Sequence, residues 1–191
     1  YTVKDTLSLH DALPISLRET TAALLAEATA AGTRTAFDLN YRSKLWTSDE
    51  ASACFEDLLP DVDLLVAAER DAREVLGREG DDEAVARDLR RAFDIDVVVL
   101  TRGSDGALAV DATDTYRQPA YDADTLDPIG TGDAFVGAFL ARRLRGASVP
   151  EALNDAAATA AVKRTLSGDL AVVTPAEVEA VLDGAAADIS R

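Results

Sequence analysis

The residue types best suited to chemistry occur in one short run, DPIGTGDAFVGAF (127–139). Gly130 and Gly132 allow backbone turns that are closed to other residues, and they let the main chain approach a ligand closely. The amphipathic helix predicted to follow would aim its unpaired N–H groups and its dipole at this turn, which favours a bound anion. Asp133 in the first helical turn is either a proton acceptor or an ordinary helix-start residue, and these residues alone leave both open.

A second run, VVVLTRGSDGALAV (97–110), joins a β-branched strand to a glycine-containing turn. The strand would deliver Thr101, Arg102 and Gly103 to its C-terminal end, where open α/β sheets bind ligands. Gly106 would then let the chain turn into the next strand. The pattern fits either a ligand-binding edge or a plain hairpin turn.

A third run, FDLNYRSKLW (37–46), alternates polar residues after a short strand. Alternate residues of an extended segment point to one side, so Asn40, Arg42 and Lys44 would share a face. Two cations there could bind a carboxylate, with arginine in bidentate fashion. The alternative is a solvated loop that is anchored in the core by Trp46.

The elements that position these runs alternate between helices and short apolar strands, which predicts one α/β domain with a mostly parallel sheet covered on both faces. Capping residues, glycine stops and β-branched runs set the bounds. The predicted helices span 17–31, 49–59, 69–76, 82–93, 131–145, 151–166 and 175–182, and the predicted strands span 34–40, 62–68, 96–101, 106–110 and 115–119. Gly32 is expected to stop the first helix, and Ser48 or Asp49 to cap the second.

Composition narrows the class of protein. The 191 residues include 35 acidic and 19 basic ones, and the net charge of −16 argues against nucleic acid or an anionic membrane as a partner. A single cysteine, Cys54, excludes a disulfide framework and a cysteine metal site. No signal peptide or membrane-length apolar run is visible, so we expect a cytoplasmic protein. The excess of Asp and scarcity of Lys favour a halophilic source, with an ordinary acidic protein of a GC-rich genome as the alternative.

The first run resembles the C-terminal signature of the ribokinase-like (PfkB-type) carbohydrate kinases, Asp-Thr-x-Gly-Ala-Gly-Asp-x-Phe. The matching positions are Asp127, Gly130, Gly132, Asp133 and Phe135, whereas Pro128 and Thr131 depart mildly from the pattern. The resemblance implies a ribokinase-like three-layer α/β/α fold. It also implies that Asp133 is the catalytic base, and that Gly130, Thr131 and Gly132 form an anion hole for the phosphates of ATP.

The other two runs match the same family. The segment from Thr101 to Gly106 resembles its Lys/Thr-x-Gly-x-x-Gly segment, which implies ATP binding by Thr101, Arg102, Gly103 and Gly106 together with Gly130 and Gly132. The segment from Asp38 to Trp46 resembles that of 2-keto-3-deoxygluconate kinases, a branch whose substrate is a sugar acid. By this resemblance Arg42 contacts the substrate carboxylate or bridges it to phosphate, and Asn40 and Asp133 also contact the substrate.

One departure from the family concerns magnesium. Members often carry Asn-x-x-Glu after the strand at 62–68, in a segment linked to magnesium and phosphate handling, but this chain has Ala68 and Asp71 at those positions. We therefore expect Mg²⁺ to accompany ATP as a cofactor, held mostly by ATP and water. No protein ligand of the metal is predicted.

The N-terminal residues 1–15 are interpreted as derived from a sequencing adapter. Thr6–Ile15 (TLSLHDALPI) is the translation of ACT CTT TCC CTA CAC GAC GCT CTT CCG ATC, one frame of a widely used adapter. A genuine N-terminal arm is the alternative. Residues 16–191 are then expected to be the C-terminal part of a PfkB-type domain, without the family's N-terminal lid and most of its sugar site.

The resemblance as a whole implies ATP-dependent phosphorylation of a sugar-acid hydroxyl, with 2-keto-3-deoxygluconate converted to its 6-phosphate. A kinase for a neutral sugar such as fructose or for a nucleoside is one alternative, and a non-catalytic nucleotide-binding fragment is another. The expected partners are the sugar acid and ATP, without nucleic acid or membrane. Whether the full-length protein forms a homo-oligomer is left open.

Overall fold

The computed structural model describes residues 9–184, with the backbone alone for residues 9–16. The chain divides into two compact units, Tyr1–Val98 and Val99–Arg191. Residues 1–8 of the segment interpreted as adapter-derived lie outside the described residues. From Leu9 its backbone begins the first helix, earlier than the predicted start at Leu17, and the origin of the segment stays a prediction.

The first unit alternates helices with short strands. Its elements are α1 (Leu9–Ala30), β1 (Ala36–Asp38), α2 (Ser48–Leu58), β2 (Leu64–Ala68), α3 (Glu69–Glu74), α4 (Asp82–Phe93) and the start of β3 (Val97–Thr101). Strands β1 and β2 pair in parallel, with Phe37 opposite Leu65. The predicted glycine stop after α1 is confirmed, since Gly32 has a φ of 67°.

The cap of α2 differs from the expectation. Thr47 is the N-cap, and not Ser48 or Asp49. The amide of Glu50 donates to the Thr47 hydroxyl at 3.3 Å, and the amide of Thr47 donates to the Glu50 carboxylate at 2.9 Å. This reciprocal capping box satisfies two helix-start donors at once, whereas a serine or aspartate one residue later would satisfy one.

The second unit continues β3 and adds a hairpin and three helices. These are β4 (Ala107–Val110), β5 (Thr115–Gln118), α5 (Thr131–Leu144), α6 (Val149–Arg164) and α7 (Pro175–Leu182). The predicted hairpin is confirmed, because β4 and β5 pair antiparallel with Leu108 opposite Arg117. Helix α6 contacts α5, α7, β4 and β5, and its buried alanines allow these close approaches.

The five strands found in residues 9–184 form one sheet in the order β1-β2-β3-β4-β5. The sheet is mixed, because it combines the parallel β1/β2 pair with the antiparallel β4/β5 pair. A sheet flanked by helices is the predicted architecture. Within the described residues, no helix combines the length and the apolar character that crossing a membrane requires.

Candidate active site

The start of α5 depends on a glycine. Gly130 is the N-cap, with a φ of 77° in the left-handed region. A Cβ at this position would lie 2.2 Å from the carbonyl oxygen of Asp169. Both the backbone conformation and the close approach therefore exclude a side chain here.

The helix start presents unpaired donors. The amide of Thr131 makes a long bond of 3.3 Å to the Pro128 carbonyl, and the amide of Ala134 donates to Gly130 at 2.9 Å. Between them, the amides of Gly132 and Asp133 have no backbone acceptor among the described residues. The hydroxyl oxygen of Thr131 is buried and has no hydrogen-bond partner within the described part of the chain. Donors of this kind, at the positive end of a helix dipole, suit a phosphate oxygen.

Asp133 is exposed in the first turn of α5, three residues after the N-cap. Gly130 fills the cap position, and Asp133 does not. Among the described residues, its carboxylate has no hydrogen-bond or ion-pair partner, so both oxygens can accept a proton from a bound molecule. The described residues therefore give Asp133 no capping hydrogen bond, although its position in the first turn still suits an ordinary helix-start residue.

The loop that precedes α5, here called the phosphate loop (126–130), is held by hydrogen bonds. The Asp127 carboxylate accepts from the amides of Ile129 and Gly168, each at 3.0 Å. The carbonyl of Arg164 accepts from the amides of Leu126 at 2.8 Å and Asp127 at 3.1 Å. The two N–H groups that bond its carboxylate, and the nearby charge of Lys163, lower the pKa of Asp127 below its ordinary value.

The turn after β3 is also built on glycine. Gly103 and Gly106 have φ values of 59° and 84°. A Cβ at Gly106 would meet the Gln118 carbonyl at 2.1 Å. The amide of Arg102 donates to the Gly106 carbonyl at 2.8 Å, and the Arg102 guanidinium donates to the Asp105 carbonyl at 2.7 Å. Arg102 thereby closes the turn with both its backbone and its side chain.

A cavity of about 460 Å³ in the second unit joins these two regions. It brings Thr101, Gly103 and Gly106 together with Thr131 and Gly132, as the resemblance implied. Arg102, Gly130 and Asp133 are outside its lining: Arg102 closes the turn, and Gly130 shapes the start of α5. The remaining lining residues are Ser104, Ala120, Thr125, Pro128, Phe135, Ala157, Ala160 and Arg164.

One wall of this cavity was not foreseen from the sequence. Ala157, Ala160 and Arg164 lie on α6 at spacings of three and four, so they share one helix face. The Arg164 guanidinium donates to the Tyr121 carbonyl. The available signal was the alanine-rich face that ends in an arginine, a pattern that an ordinary buried helix face shares.

The loop Asn40–Trp46 of the first unit, here called the cationic loop, is not extended as the sequence suggested. Asn40 adopts a φ of 36°, and the Leu45 amide closes a turn on the Arg42 carbonyl at 2.9 Å. Asparagine tolerates this conformation, and local turn hydrogen bonds replace the extended backbone. Asn40, Arg42 and Lys44 are exposed, whereas Trp46 packs edge-on against Phe55 at 5.4 Å between ring centroids. Asp133, the third predicted substrate contact, belongs to the second unit.

Within the described part of the chain, the residues at the positions that the family links to magnesium do not fit a protein-bound ion. Ala68 has no ligand atom in its side chain, and Asp71 is 4% exposed. The Asp71 oxygen Oδ1 accepts two bonds from the Arg70 guanidinium, at 2.8 and 3.0 Å, and these bonds raise the pKa of Arg70. No group of three or more His, Cys, Asp or Glu side chains within the described part of the chain could hold a metal ion.

Comparison with known families decides the assignment. The profile described as pfkB family carbohydrate kinase matches residues 3–176. The chain belongs to this family. The kinase signature and the ribokinase-like fold predicted from the sequence are thereby confirmed.

Individual relatives refine this picture. The chain is 58% identical to the 2-dehydro-3-deoxygalactonokinase of Haloferax volcanii over 186 residues, which cover 97% of this chain and 58% of that protein. It is 28% identical to the 5-dehydro-2-deoxygluconokinase of Shouchella clausii over 87% of this chain and 52% of that protein. The solved 2-dehydro-3-deoxygluconokinase of Thermotoga maritima superposes with a TM-score of 0.75 at 29% identity, covering 84% of this chain and 53% of that one. The chain thus spans about half the length of these pfkB relatives.

Proposed function

We propose that the protein transfers the terminal phosphoryl group of ATP to a hydroxyl of a sugar acid. The observation that carries the proposal is the cavity of the second unit, where the buried Thr131 hydroxyl and the amide of Gly132 meet the end of β3. Unpaired donors beside a cavity of about 460 Å³ suit the phosphates of a nucleotide.

The predicted site residues of the second unit have distinct roles in this proposal. Asp133 accepts the proton of the attacking hydroxyl, which its unpartnered carboxylate allows. The amides at Gly132 and Asp133 and the Thr131 hydroxyl stabilise the negative charge that develops on the phosphoryl oxygens. Thr101 and the turn from Gly103 to Gly106 form the opposite wall of the nucleotide site. ATP supplies the phosphoryl group, and Mg²⁺ accompanies it without a ligand cluster from the described residues.

The acceptor is proposed to be a 2-keto-3-deoxy sugar acid, either 2-keto-3-deoxygluconate or its galactonate epimer. The cationic loop offers Arg42 and Lys44, both exposed, as partners for a substrate carboxylate, with Asn40 as a further contact. The names of the relatives from Haloferax and Thermotoga, both sugar-acid kinases, support the same class.

A substrate panel tests this proposal. The natural full-length protein should release ADP faster with 2-keto-3-deoxygluconate or 2-keto-3-deoxygalactonate than with fructose or adenosine, as measured by kcat/KM in a coupled assay. Equal kcat/KM for fructose and the sugar acids would contradict the sugar-acid proposal. ATP binding without turnover of any acceptor would favour the non-catalytic alternative.

We further propose that the protein works at high salt. A net charge of −16 favours unfolding at low ionic strength, because like charges repel within the compact state. Added salt screens that repulsion. The Tm should therefore rise from low to multimolar KCl, whereas a Tm that falls steadily over this range would contradict the proposal.

A further inference from the structure

Hydrogen bonds join the phosphate loop to the segment 164–169, which begins with the last residue of α6. Each of the two segments donates to the other. The Arg164 carbonyl, one of the last in α6, accepts the amides of Leu126 and Asp127. In return, the Gly168 amide donates to the Asp127 carboxylate at 3.0 Å. Helix-end carbonyls lack intrahelical partners, so the bonds to the Arg164 carbonyl satisfy one of them. The same bonds restrain the phosphate loop.

The same segment fixes the beginning of α5. The carbonyl oxygen of Asp169 lies 2.2 Å from the position that a Cβ of Gly130 would occupy. The backbone at Gly130 is therefore in contact with the backbone at Asp169. A shift of the 164–169 segment would move the N-cap of α5 and, with it, the unpaired amides of Gly132 and Asp133.

Lys163 is a buried cation beneath this arrangement. Its side chain is 0% exposed, and the one acceptor that the described residues give its ammonium group is the Leu166 carbonyl, at 3.3 Å. Burying an ammonium group with a single long bond is unfavourable, and an apolar residue of similar volume is often neutral or stabilising at such a place. Fold stability alone therefore does not account for a lysine at this position.

The charge of Lys163 acts on the loop. After the two N–H bonds to its carboxylate, the nearby Lys163 ammonium is a further cause that lowers the pKa of Asp127. This charge adds to the two N–H bonds in favouring the ionised carboxylate, which is the better acceptor for the amides of Ile129 and Gly168. At the same time, the bond to the Leu166 carbonyl restrains the segment that approaches Gly130.

We propose that Lys163 and Asp127 are positioning residues of the phosphate site: with the 164–169 segment, they hold the phosphate loop in the conformation that presents the amides of Gly132 and Asp133. This inference rests on the function proposed above, because it assigns those amides to a phosphate. Neither Lys163 nor Asp127 belongs to the residues that line the cavity. Both act through the backbone of the loop.

The test compares Lys163→Met, Asp127→Asn and the double variant in the natural full-length protein. Arg91→Met is the matched control, since it removes one positive charge from an exposed helix position. ADP affinity is measured by calorimetry, kcat and both KM values by a coupled assay, and Tm by a thermal melt. Lys163→Met should melt no lower than wild type. It should bind ADP about tenfold more weakly and lose about tenfold in kcat, with an unchanged KM for the sugar acid.

The double variant reports whether the two residues act together. Its loss of ADP affinity should be no larger than that of Asp127→Asn alone, because residues that serve one arrangement are not additive. Additive losses would overturn the joint role. If Lys163→Met melts below wild type, Lys163→Gln, which keeps a donor without the charge, takes its place with the same expectations.

The outcomes separate this inference from the proposed function. Normal phosphorylation by wild type, with Lys163→Met and Asp127→Asn matching Arg91→Met in ADP affinity and kcat, would overturn the inference and leave the function standing. Weakened ADP binding by Lys163→Met in a protein that phosphorylates no acceptor would support the inference and remove the function. Failure of wild type to bind ADP would overturn both.

Discussion

The phosphate loop and the cationic loop are built on opposite principles. The phosphate loop offers main-chain amides, and bonds from Asp127, Arg164 and Gly168 fix its conformation. The cationic loop offers exposed side chains, Arg42 and Lys44, on a turn that is anchored near its end, where Trp46 packs on Phe55. The proposed ligand of the first is a phosphate and that of the second is a sugar acid.

This difference determines which substitutions each loop can accept without losing its ligand. Every residue but proline has the same amide, so a substitution leaves a main-chain site intact unless it disturbs the conformation. A site made of side chains changes its ligand with one substitution. We therefore expect shared chemistry to depend on the phosphate loop and substrate choice to depend on the cationic loop. The following predictions test that division, from the largest expected effect to the smallest.

The largest effect is expected from Asp133→Asn. An amide cannot accept the proton of the attacking hydroxyl, and general-base catalysis contributes about 10²–10⁴-fold. The variant should therefore lose at least about a hundredfold in kcat, while the Tm and ATP binding stay near wild type. Asp124→Asn, at an exposed position outside the cavity lining, is the control and should keep full kcat. Near-normal turnover by Asp133→Asn would remove the catalytic base from the proposal.

Arg42→Ala should act on substrate choice and not on the nucleotide. Loss of a charge-assisted bond of about 1.5–3 kcal/mol would lower kcat/KM for the sugar acid about 10–150-fold. The KM for ATP and the low activity on fructose should change little. Arg145→Ala, another exposed arginine, serves as the control. Equal losses on fructose and the sugar acid would show that Arg42 does not contact the carboxylate.

Gly130→Ala and Gly132→Ala form a matched pair in one turn. A Cβ at Gly130 would collide with the Asp169 carbonyl in a left-handed conformation, whereas a Cβ at Gly132 meets nothing within 4 Å. We expect Gly130→Ala to lower the free energy of unfolding by about 1–3 kcal/mol and to reduce ATP affinity. Gly132→Ala should be neutral or slightly stabilising, because alanine has the higher helix propensity. Similar melts for the two variants would contradict the close approach at Gly130.

The smallest effect concerns acid stability. The pKa of Asp127 lies below its ordinary value, because the amides of Ile129 and Gly168 bond the carboxylate and Lys163 lies nearby. The stabilisation is therefore present above about pH 4 and is lost as the pH falls through the lowered pKa. The Tm difference between wild type and Asp127→Asn should be largest near neutral pH and should close below about pH 4. A difference that stays constant down to pH 3 would show that the ionised carboxylate is not what holds the loop.

Local signals in the sequence predicted much of this structure. Helix α4 begins at Asp82 and ends at Phe93 as expected, because the Asp81 carboxylate caps the Ala84 amide at 2.8 Å and the apolar period continues to the end. The proximity of Gly103 and Thr131 in one cavity followed from the family pattern. These features depend on short-range chemistry or on a motif whose spacing is distinctive.

The features that the sequence did not predict depend on contacts between residues that are distant along the chain. The bonds from the phosphate loop to Arg164 and Gly168 join residues that are distant in the chain. Apart from the Asp127 carboxylate, the groups that they join belong to the backbone, which leaves no mark in the residue types. The left-handed Asn40 and the capping box at Thr47 were recognisable as patterns, but competing local interpretations were equally consistent with the letters. The wall formed by Ala157, Ala160 and Arg164 follows an ordinary helix period, so nothing distinguished it from a buried face.

The contact between Gly130 and Asp169 also has a consequence for chain length. Because the approach is between main chains, the exposed side chains of the segment, such as those of Ser167 and Asp169, are free to change. The number of residues between Arg164 and Asp169 is fixed by the gap that they must span. Insertion of a single residue there would displace the Asp169 carbonyl from the N-cap even if every side chain were preserved. Sequence libraries for new acceptors can therefore vary the cationic loop in length and composition, while the segment after α6 accepts substitutions but neither insertions nor deletions.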